Sequence, residues 1–133
     1  MRFIMMALLG LGLFSAPVSA KPPLRDVAAI DDALLDVGIA DAIRKNCPTI
    51  DARLIKATTF LWNIKGQANA LGYSDAEIDA YRKSNVEKER LKARGRAFFE
   101  ARGVDTSDPH SYCAIGLEEI QKQSRIGSLL RAK

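Results

Sequence analysis

Residues 50–71, IDARLIKATTFLWNIKGQANAL, carry the strongest helical pattern in the chain. Their apolar residues recur at alternating intervals of four and three, which places them on one stripe of an α-helix: Ile50, Leu54, Ala57, Leu61, Ile64, Ala68 and Leu71. Phe60 and Trp62 widen the apolar arc on both sides of this stripe. We therefore predict that residues 50–71 form the central helix of a small bundle. Trp62 is predicted as a packing residue, the alternative being a ligand-stacking residue beside Asn63 and Gln67.

Three more helices are predicted around this central one, over residues 24–46, 75–102 and 109–127. The first ends before Pro48, because the residue that precedes a proline is pushed out of the α region. Ser74 and Glu77 form a capping box at the start of the third helix. Gly38 and Gly95 are either kinks or breaks in these helices. No strand pattern appears, so the predicted fold class is all-α, a four-helix bundle-like domain.

The amino terminus has the pattern of a secretory signal peptide. Arg2 provides a basic start, residues 3–14 are an uncharged apolar run, and Val18-Ser19-Ala20 offers small residues at a cleavage site. The apolar run is shorter than the roughly 20 residues that a membrane-spanning helix needs. We expect residues 1–20 to be cleaved and residues 21–133 to form a single periplasmic or secreted domain, with no membrane span after cleavage.

The chain contains two cysteines, Cys47 and Cys113. An even number of cysteines in an exported chain indicates a disulfide, and two cysteines allow only one intramolecular pairing. The alternative is a redox pair or a reactive thiol, with His110 as a base three residues before Cys113. Because no C-x-x-C motif supports redox chemistry, we predict a structural disulfide that staples the bundle.

The sequence offers no constellation for catalysis or metal binding. One histidine and two distant cysteines lack the ligand spacing of a zinc site. Asp31, Asp32 and Asp36 lack the oxygen-rich loop of a calcium site, so we expect them to form a solvated helix face. There is no nucleophile elbow and no glycine-rich phosphate loop. We predict a protein that is not an enzyme and that uses no metal and no cofactor.

Residues 82–102 are the most cationic stretch, with eight Lys or Arg against Glu87, Glu89 and Glu100. If the exported protein has an anionic partner, we expect anionic lipid, an envelope polymer or an acidic protein surface rather than nucleic acid. The alternative is an ordinary solvated helix with side-chain ion pairs. The candidate binding face consists of seven cations: Arg82, Lys83, Lys88, Arg90, Lys92, Arg94 and Arg96.

Three short stretches, together with the signal pattern, resemble an uncharacterised family of small exported bacterial proteins that is classified as a domain of unknown function: Asn46-Cys47-Pro48, residues 112–116 and residues 124–130. That resemblance implies no activity, since none is assigned to the family. The plan is also similar to that of the periplasmic acid-stress chaperones, which are small, helical and pinned by one disulfide. This second likeness concerns architecture only, because the present chain is longer between its cysteines and richer in basic residues.

From these patterns we expect a non-enzymatic periplasmic accessory or binding protein that meets an anionic envelope partner through the basic stretch. The alternative function is that of a periplasmic acid-stress chaperone. Such a protein would lose tertiary packing and expose apolar surface when acid protonates its carboxylates.

Overall fold

The computed structural model describes residues 20–133, so all but the last residue of the predicted signal peptide lies outside the described residues. A short 3₁₀ turn, Leu24–Asp26, precedes the first helix. The described chain folds into six helices and two strands: α1 (Ala28–Asn46), β1 (Ile50–Ala52), α2 (Leu54–Ala70), α3 (Asp75–Lys83), α4 (Asn85–Ala101), α5 (Ser111–Lys122), α6 (Arg125–Ser128) and β2 (Leu130–Ala132). None of these helices combines the length and the apolar composition needed to cross a membrane.

The mostly helical fold is confirmed, but the four-helix count and the absence of strands were wrong. β1 and β2 pair in antiparallel fashion, with Ile50 opposite Ala132. The N–H of Arg53 then donates to the carbonyl of Leu129 at 2.8 Å. The two strands are three residues long and far apart in the chain. No local pattern could therefore indicate their pairing, which brings the carboxyl-terminal segment against the start of α2.

The central helix of the domain is α1, and the central position predicted for residues 50–71 was wrong. α1 packs against α2, α4, α5, α6 and β1. Its Ile39 and Ile43 belong to one buried cluster, whereas Ile30 and Ala33 belong to a second. Every other element of the described chain therefore either contacts α1 or contacts an element that does.

The apolar stripe of residues 50–71 is divided between the core and the surface. Ile50 is buried in β1, and Ile64 and Ala68 bury one side of α2. The remaining large members of the stripe are exposed: Leu54, Leu61 and Leu71. Because α2 packs mainly on α1 and α3 among the helices, only a narrow side of it is covered. The pattern correctly indicated a helix, but it overstated how much of that helix is covered.

Trp62 is exposed, contrary to its prediction as a packing residue. It is 66% accessible, and Ile55, seven residues earlier, is 87% accessible. Residues seven apart lie on the same side of a helix, two turns from each other. An exposed side of α2 therefore carries large apolar groups.

The predicted third helix is two helices, α3 and α4. Ser84 separates them because its backbone is extended, and its hydroxyl caps α4 by accepting the N–H of Glu87 at 3.3 Å. The predicted capping box of Ser74 and Glu77 is present at the start of α3. Gly38 and Gly95, by contrast, interrupt nothing: α1 and α4 run through them as single helices.

Cys47 and Cys113 lie at disulfide distance, as predicted, with their sulfur atoms 2.05 Å apart. Cys47 directly follows α1, and Cys113 is in the first turn of α5. The bond therefore joins the end of the central helix to the start of the helix that packs across it. His110 is the exposed residue at the start of α5, and with Cys113 oxidised it faces no free thiol.

Candidate functional site

Asp31 of α1 is buried, contrary to the prediction of a solvated acidic face. It is only 3% exposed, and its carboxylate accepts hydrogen bonds from the Tyr81 hydroxyl and from the guanidinium groups of Arg90 and Arg94. The bond from Arg90 Nη1 to Asp31 Oδ2 is 3.1 Å. A buried charge is tolerated only when it is paired and hydrogen-bonded, and here three side chains meet that need.

The Asp31 cluster continues through two further carboxylates. Arg94 Nη2 lies 2.8 Å from Asp32 Oδ1, and Arg90 Nε lies 2.8 Å from Glu87 Oε2. Arg25, in the 3₁₀ turn, also donates to Glu87. The cluster therefore ties α1 and the segment before it to α3 and α4, and two of the predicted binding-face cations, Arg90 and Arg94, serve to hold the domain together.

Electrostatics keep the buried carboxylate ionised. Burial by itself raises the pKa of Asp31, but hydrogen bonds from Arg90 and Tyr81, together with the charges of Arg90 and Arg94, lower that pKa below its usual value. Burial and the adjacent Asp31 raise the pKa of the Tyr81 phenol. Tyr81 therefore stays protonated and donates to Asp31 at every physiological pH.

The other predicted cations fall into two groups. Arg82 and Lys83 end α3, where Arg82 pairs with Asp79 at 3.4 Å. Lys88, Lys92 and Arg96 recur every four residues along α4, on the opposite edge of that helix from Arg90 and Arg94. The described residues provide no ion-pair partner for Lys88 or Arg96, whereas Lys92 lies 2.8 Å from Glu89. The structure thus separates the predicted binding face into a structural half and an exposed row.

The exposed row borders an apolar groove between α1 and α4, which we call the α1–α4 groove. Its volume is about 480 Å³, within the size range of small-molecule sites. The apolar wall is formed by Leu34, Leu35, Ile39, Ala42, Leu91, Phe99 and Tyr112. Among residues 20–133, all the charged residues that line it are cationic: Lys88, Lys92 and Arg96. An apolar cavity with a purely cationic border suits a ligand that is apolar along its body and anionic at one end.

Two glycines keep the α1–α4 groove open. Gly38 of α1 and Gly95 of α4 both line it, and a Cβ added at either position would meet no neighbouring atom within 4 Å. Each mid-helix glycine costs about 1 kcal/mol relative to alanine. Since packing between the helices does not require them, these glycines are best explained by the space that they leave in the groove.

Two neighbouring clefts differ from the α1–α4 groove in charge. The cleft between α1, α2 and α4 has a volume of about 450 Å³ and is bordered by Asp41 and Glu87 as well as by cations. The cleft between α2 and α3, of about 410 Å³, has Asp79 beside Lys65 and Arg82. Mixed charges at these two borders favour no particular ligand charge. The α1–α4 groove is therefore the strongest candidate site in the described part of the chain.

Only the cationic border of this site was predicted from the sequence. The cationic side of the groove was contained in the predicted binding face, and the spacing of Lys88, Lys92 and Arg96 could have separated it from Arg90 and Arg94. The apolar wall could not be found, because it combines residues of α1 with Phe99 and Tyr112 from distant parts of the chain. Only the packing of α4 on α1 reveals which of these side chains border open space.

The comparisons with known proteins identify a family but no function. A family model described as "Family of unknown function (DUF5333)" matches residues 22–131. No curated protein and no solved structure matches the chain. The matched range contains both cysteines, Asp31 and the three cations of the groove. The whole candidate site therefore lies inside the region that the family shares.

Proposed function

The chain belongs to this family of unknown function, and from its own geometry we propose that it is a non-enzymatic periplasmic or secreted binding protein. Its anionic envelope partner would be an amphiphile, an acyl chain that carries a carboxylate or a phosphate, held in the α1–α4 groove. The observation that carries this proposal is the coincidence of an open apolar groove with a border whose charged residues, within the described part of the chain, are all cationic.

The amphiphile fits each part of the groove by a separate interaction. The acyl chain would remove the apolar wall from water, which is favourable in proportion to the area buried. Its anionic head would pair with Lys88 and Arg96, neither of which has an ion-pair partner among residues 20–133. A neutral amphiphile would gain only the first of these two contributions, so the groove should discriminate by charge.

The lining of the groove also supports a binding role over a catalytic one. Within the described chain, no carboxylate, histidine or cysteine lines it. Proton transfer near neutral pH usually relies on such groups, and nucleophilic catalysis needs a nucleophile beside a base. The disulfide and the signal pattern support a periplasmic or secreted setting.

Calorimetric titration with lauric acid, lauryl phosphate and lauryl alcohol tests this proposal. Both anionic compounds should bind, and lauryl alcohol should bind at least about tenfold more weakly because it cannot pair with the cations. Affinity for the anions should also fall as salt rises, since the Debye length shrinks from about 10 Å at 0.1 M to about 3 Å at 1 M. Equal binding of the alcohol would contradict the proposal.

Two sets of variants locate the site. Changing Lys88, Lys92 and Arg96 together to Glu should abolish binding of the anions while leaving the helical spectrum intact. Gly38→Leu should fill the groove and block all three compounds. Gly66→Leu is the matched control, because Gly66 is a glycine of α2 that also faces open space but lies outside the groove. The site is misassigned if Gly38→Leu and Gly66→Leu bind alike.

The Asp31 cluster favours a second candidate function, the acid-stress chaperone. Protonation of Asp31 would remove the charge that draws Arg90 and Arg94 onto α1, and would loosen α4 above the apolar groove. A chaperone of this kind should bind a hydrophobic dye and protect a client from aggregation at low pH. Asp31→Asn, which imitates the protonated state, should then bind the dye at neutral pH. If neither the wild type at low pH nor Asp31→Asn at neutral pH binds the dye, this function is excluded.

A further inference from the structure

We propose that the outward side of α2 binds to the surface of an anionic membrane, with Ile55 and Trp62 inserted between the lipid head groups. We call this side the outer face of α2. It is separate from the α1–α4 groove, which no residue of α2 lines, so the inference does not rest on the proposed function of the groove.

Exposed apolar side chains are concentrated on and beside this helix. The described residues expose seven large apolar side chains, and five of them lie between residues 54 and 71: Leu54, Ile55, Leu61, Trp62 and Leu71. The other two, Val86 and Leu117, stand singly on other helices. Single exposed apolar residues are ordinary, but a cluster of them indicates an interaction surface.

The charged residues of α2 itself, and Arg53 directly before it, are all positive. Residues 52–74 contain no Asp or Glu but contain Arg53, Lys56 and Lys65. Arg53 and Lys56 are exposed and have no ion-pair partner within residues 20–133. Lys65 lies 5.7 Å from the centre of the Trp62 ring and 3.6 Å from Asp75. Lysine, arginine and tryptophan side chains exposed along one helix are the composition found on helices that bind in the plane of an anionic interface.

Charge and shape favour a membrane over a second copy of the chain. Two outer faces brought together would oppose Arg53, Lys56 and Lys65 to their own copies, and like charges across an interface are unfavourable. Trp62 also lines the cleft between α2 and α3, but Ile55, the most exposed apolar residue of the face, lines none of the three clefts, so a peptide held in a cleft would leave it uncovered. Trp62 suits a lipid surface, because an indole ring prefers the boundary between apolar and aqueous regions.

Trp62 is the only tryptophan of the chain, so its fluorescence reports directly on this surface. We expect its emission to shift to shorter wavelength with vesicles of equal parts phosphatidylcholine and phosphatidylglycerol, and not with phosphatidylcholine alone. High salt should reverse the shift, because screening removes the attraction between the cations and the lipid. Equal shifts with both kinds of vesicle would overturn the proposal.

Variants of exposed residues assign the binding to α2 without disturbing the fold. Leu54→Gln with Ile55→Gln should weaken vesicle binding, whereas Val86→Gln, at a residue of α4 as exposed as Leu54, should not. Arg53→Glu with Lys56→Glu should weaken it by at least about fivefold for each cation removed. Lys83→Glu on α3 serves as the control for charge reversal. No difference between the α2 variants and their controls would refute the assignment.

Two further measurements separate the alternatives. The variant with Lys88, Lys92 and Arg96 changed to Glu should retain its vesicle binding, because those residues border the groove and not the outer face. Loss of vesicle binding in that variant would overturn the assignment to α2. A Trp62 shift that appears without vesicles, together with dimers in sedimentation, would instead identify a second copy as the partner.

Discussion

Asp31 shows how one side chain can connect several elements. Its carboxylate lies at 3% exposure among Tyr81, Arg90 and Arg94, which come from two other helices. Breaking a buried pair is costly mainly because the remaining charges lose their partner. Here Arg90 and Arg94 are partly accessible, so both can regain some hydration when the carboxylate is removed.

We predict that Asp31→Asn lowers the free energy of unfolding by about 3 kcal/mol, near the low end of the range for a broken buried pair. Urea denaturation followed by circular dichroism measures this value. Asp41→Asn is the control, because Asp41 forms partly exposed ion pairs with Arg44 and Lys45 within α1 and should matter little. Similar losses for the two variants would show that the Asp31 cluster contributes no more than a surface pair.

The pH dependence of this contribution follows from the lowered pKa of Asp31. Because the folded pKa is below the unfolded value of about 3.9, the carboxylate stabilises the fold fully above that value. The stability difference between the wild type and Asp31→Asn should therefore be constant from pH 8 to about pH 5 and should shrink as the pH falls below about 4. A difference that disappears between pH 7 and pH 6 would contradict this assignment.

Among the elements, α1 and α2 have exchanged the roles that their sequences indicated. α1 supplies buried residues to both apolar clusters, whereas α2 contributes Ile64 and Ala68 and exposes much of the rest. The hydrophobic pattern of a helix reports which residues are apolar. It does not report how many neighbours surround that helix, and this number decides which of those residues are buried.

Alanine substitutions test this reassignment of the core. Ile43→Ala removes a fully buried side chain from α1 and should lower the free energy of unfolding by about 3 kcal/mol. Leu61→Ala, at 43% exposure on α2, should cost less than about 1 kcal/mol. Thermal and urea unfolding of the two variants measure the contrast. Equal decreases in the free energy of unfolding would mean that residues 50–71 belong to the core after all.

The helix glycines divide into those that packing requires and those that it does not. A Cβ on Gly116 of α5 would collide with Ile50 Cδ1 and come within 2.7 Å of Ile43 Cγ2. A Cβ on Gly127 of α6 would collide with the backbone carbonyl of Glu119. Side chains can shift more easily than a helix backbone can. The two glycines therefore set how closely α5 and α6 approach their neighbours.

We predict that Gly116→Ala destabilises by about 1–3 kcal/mol through overpacking and that Gly127→Ala destabilises more. Gly38→Ala, in contrast, should stabilise by about 1 kcal/mol, because its new methyl group meets open space and alanine favours the helix. Chemical denaturation of the three variants ranks their free energies of unfolding. The prediction would be contradicted if Gly38→Ala lowered the free energy of unfolding as much as Gly116→Ala.

At the scale of the whole molecule, the disulfide and the small sheet close the fold at one end. Cys47 and Cys113 are 66 positions apart in the chain, and β1, which pairs with β2, begins just after Cys47. The two constraints hold the carboxyl-terminal segment against α1. A long loop closed by a cross-link loses much of its entropy in the unfolded state, which is one way that a disulfide stabilises a domain.

Replacing both cysteines with alanine should lower the free energy of unfolding by about 4 kcal/mol, the loop-entropy value for this separation. Cys113→Ala alone should have nearly the same effect, because either change removes the cross-link. Urea unfolding of the oxidised wild type and the two variants measures the loss. A double variant as stable as the wild type would mean that the bond is incidental to stability.

The sequence alone determined the features that depend on neighbouring residues. Helical periodicity, the capping box of Ser74 and Glu77, and the stop at Pro48 are local, and the structure contains each of them. The pairing of Cys47 with Cys113 also followed, since a chain with two cysteines allows only one internal bond. The cationic side of the candidate site was visible for the same reason, because Lys88, Lys92 and Arg96 lie on one helix.

The tertiary structure alone decided which residues are buried and which are brought together. Asp31 became a buried ionic centre, and α2 became a helix with an exposed face, only when α4 and α1 took their places. β1 and β2 paired across nearly the whole domain. Burial and pairing depend on contacts between residues distant in the chain, and a local pattern contains no information on which distant element will cover it.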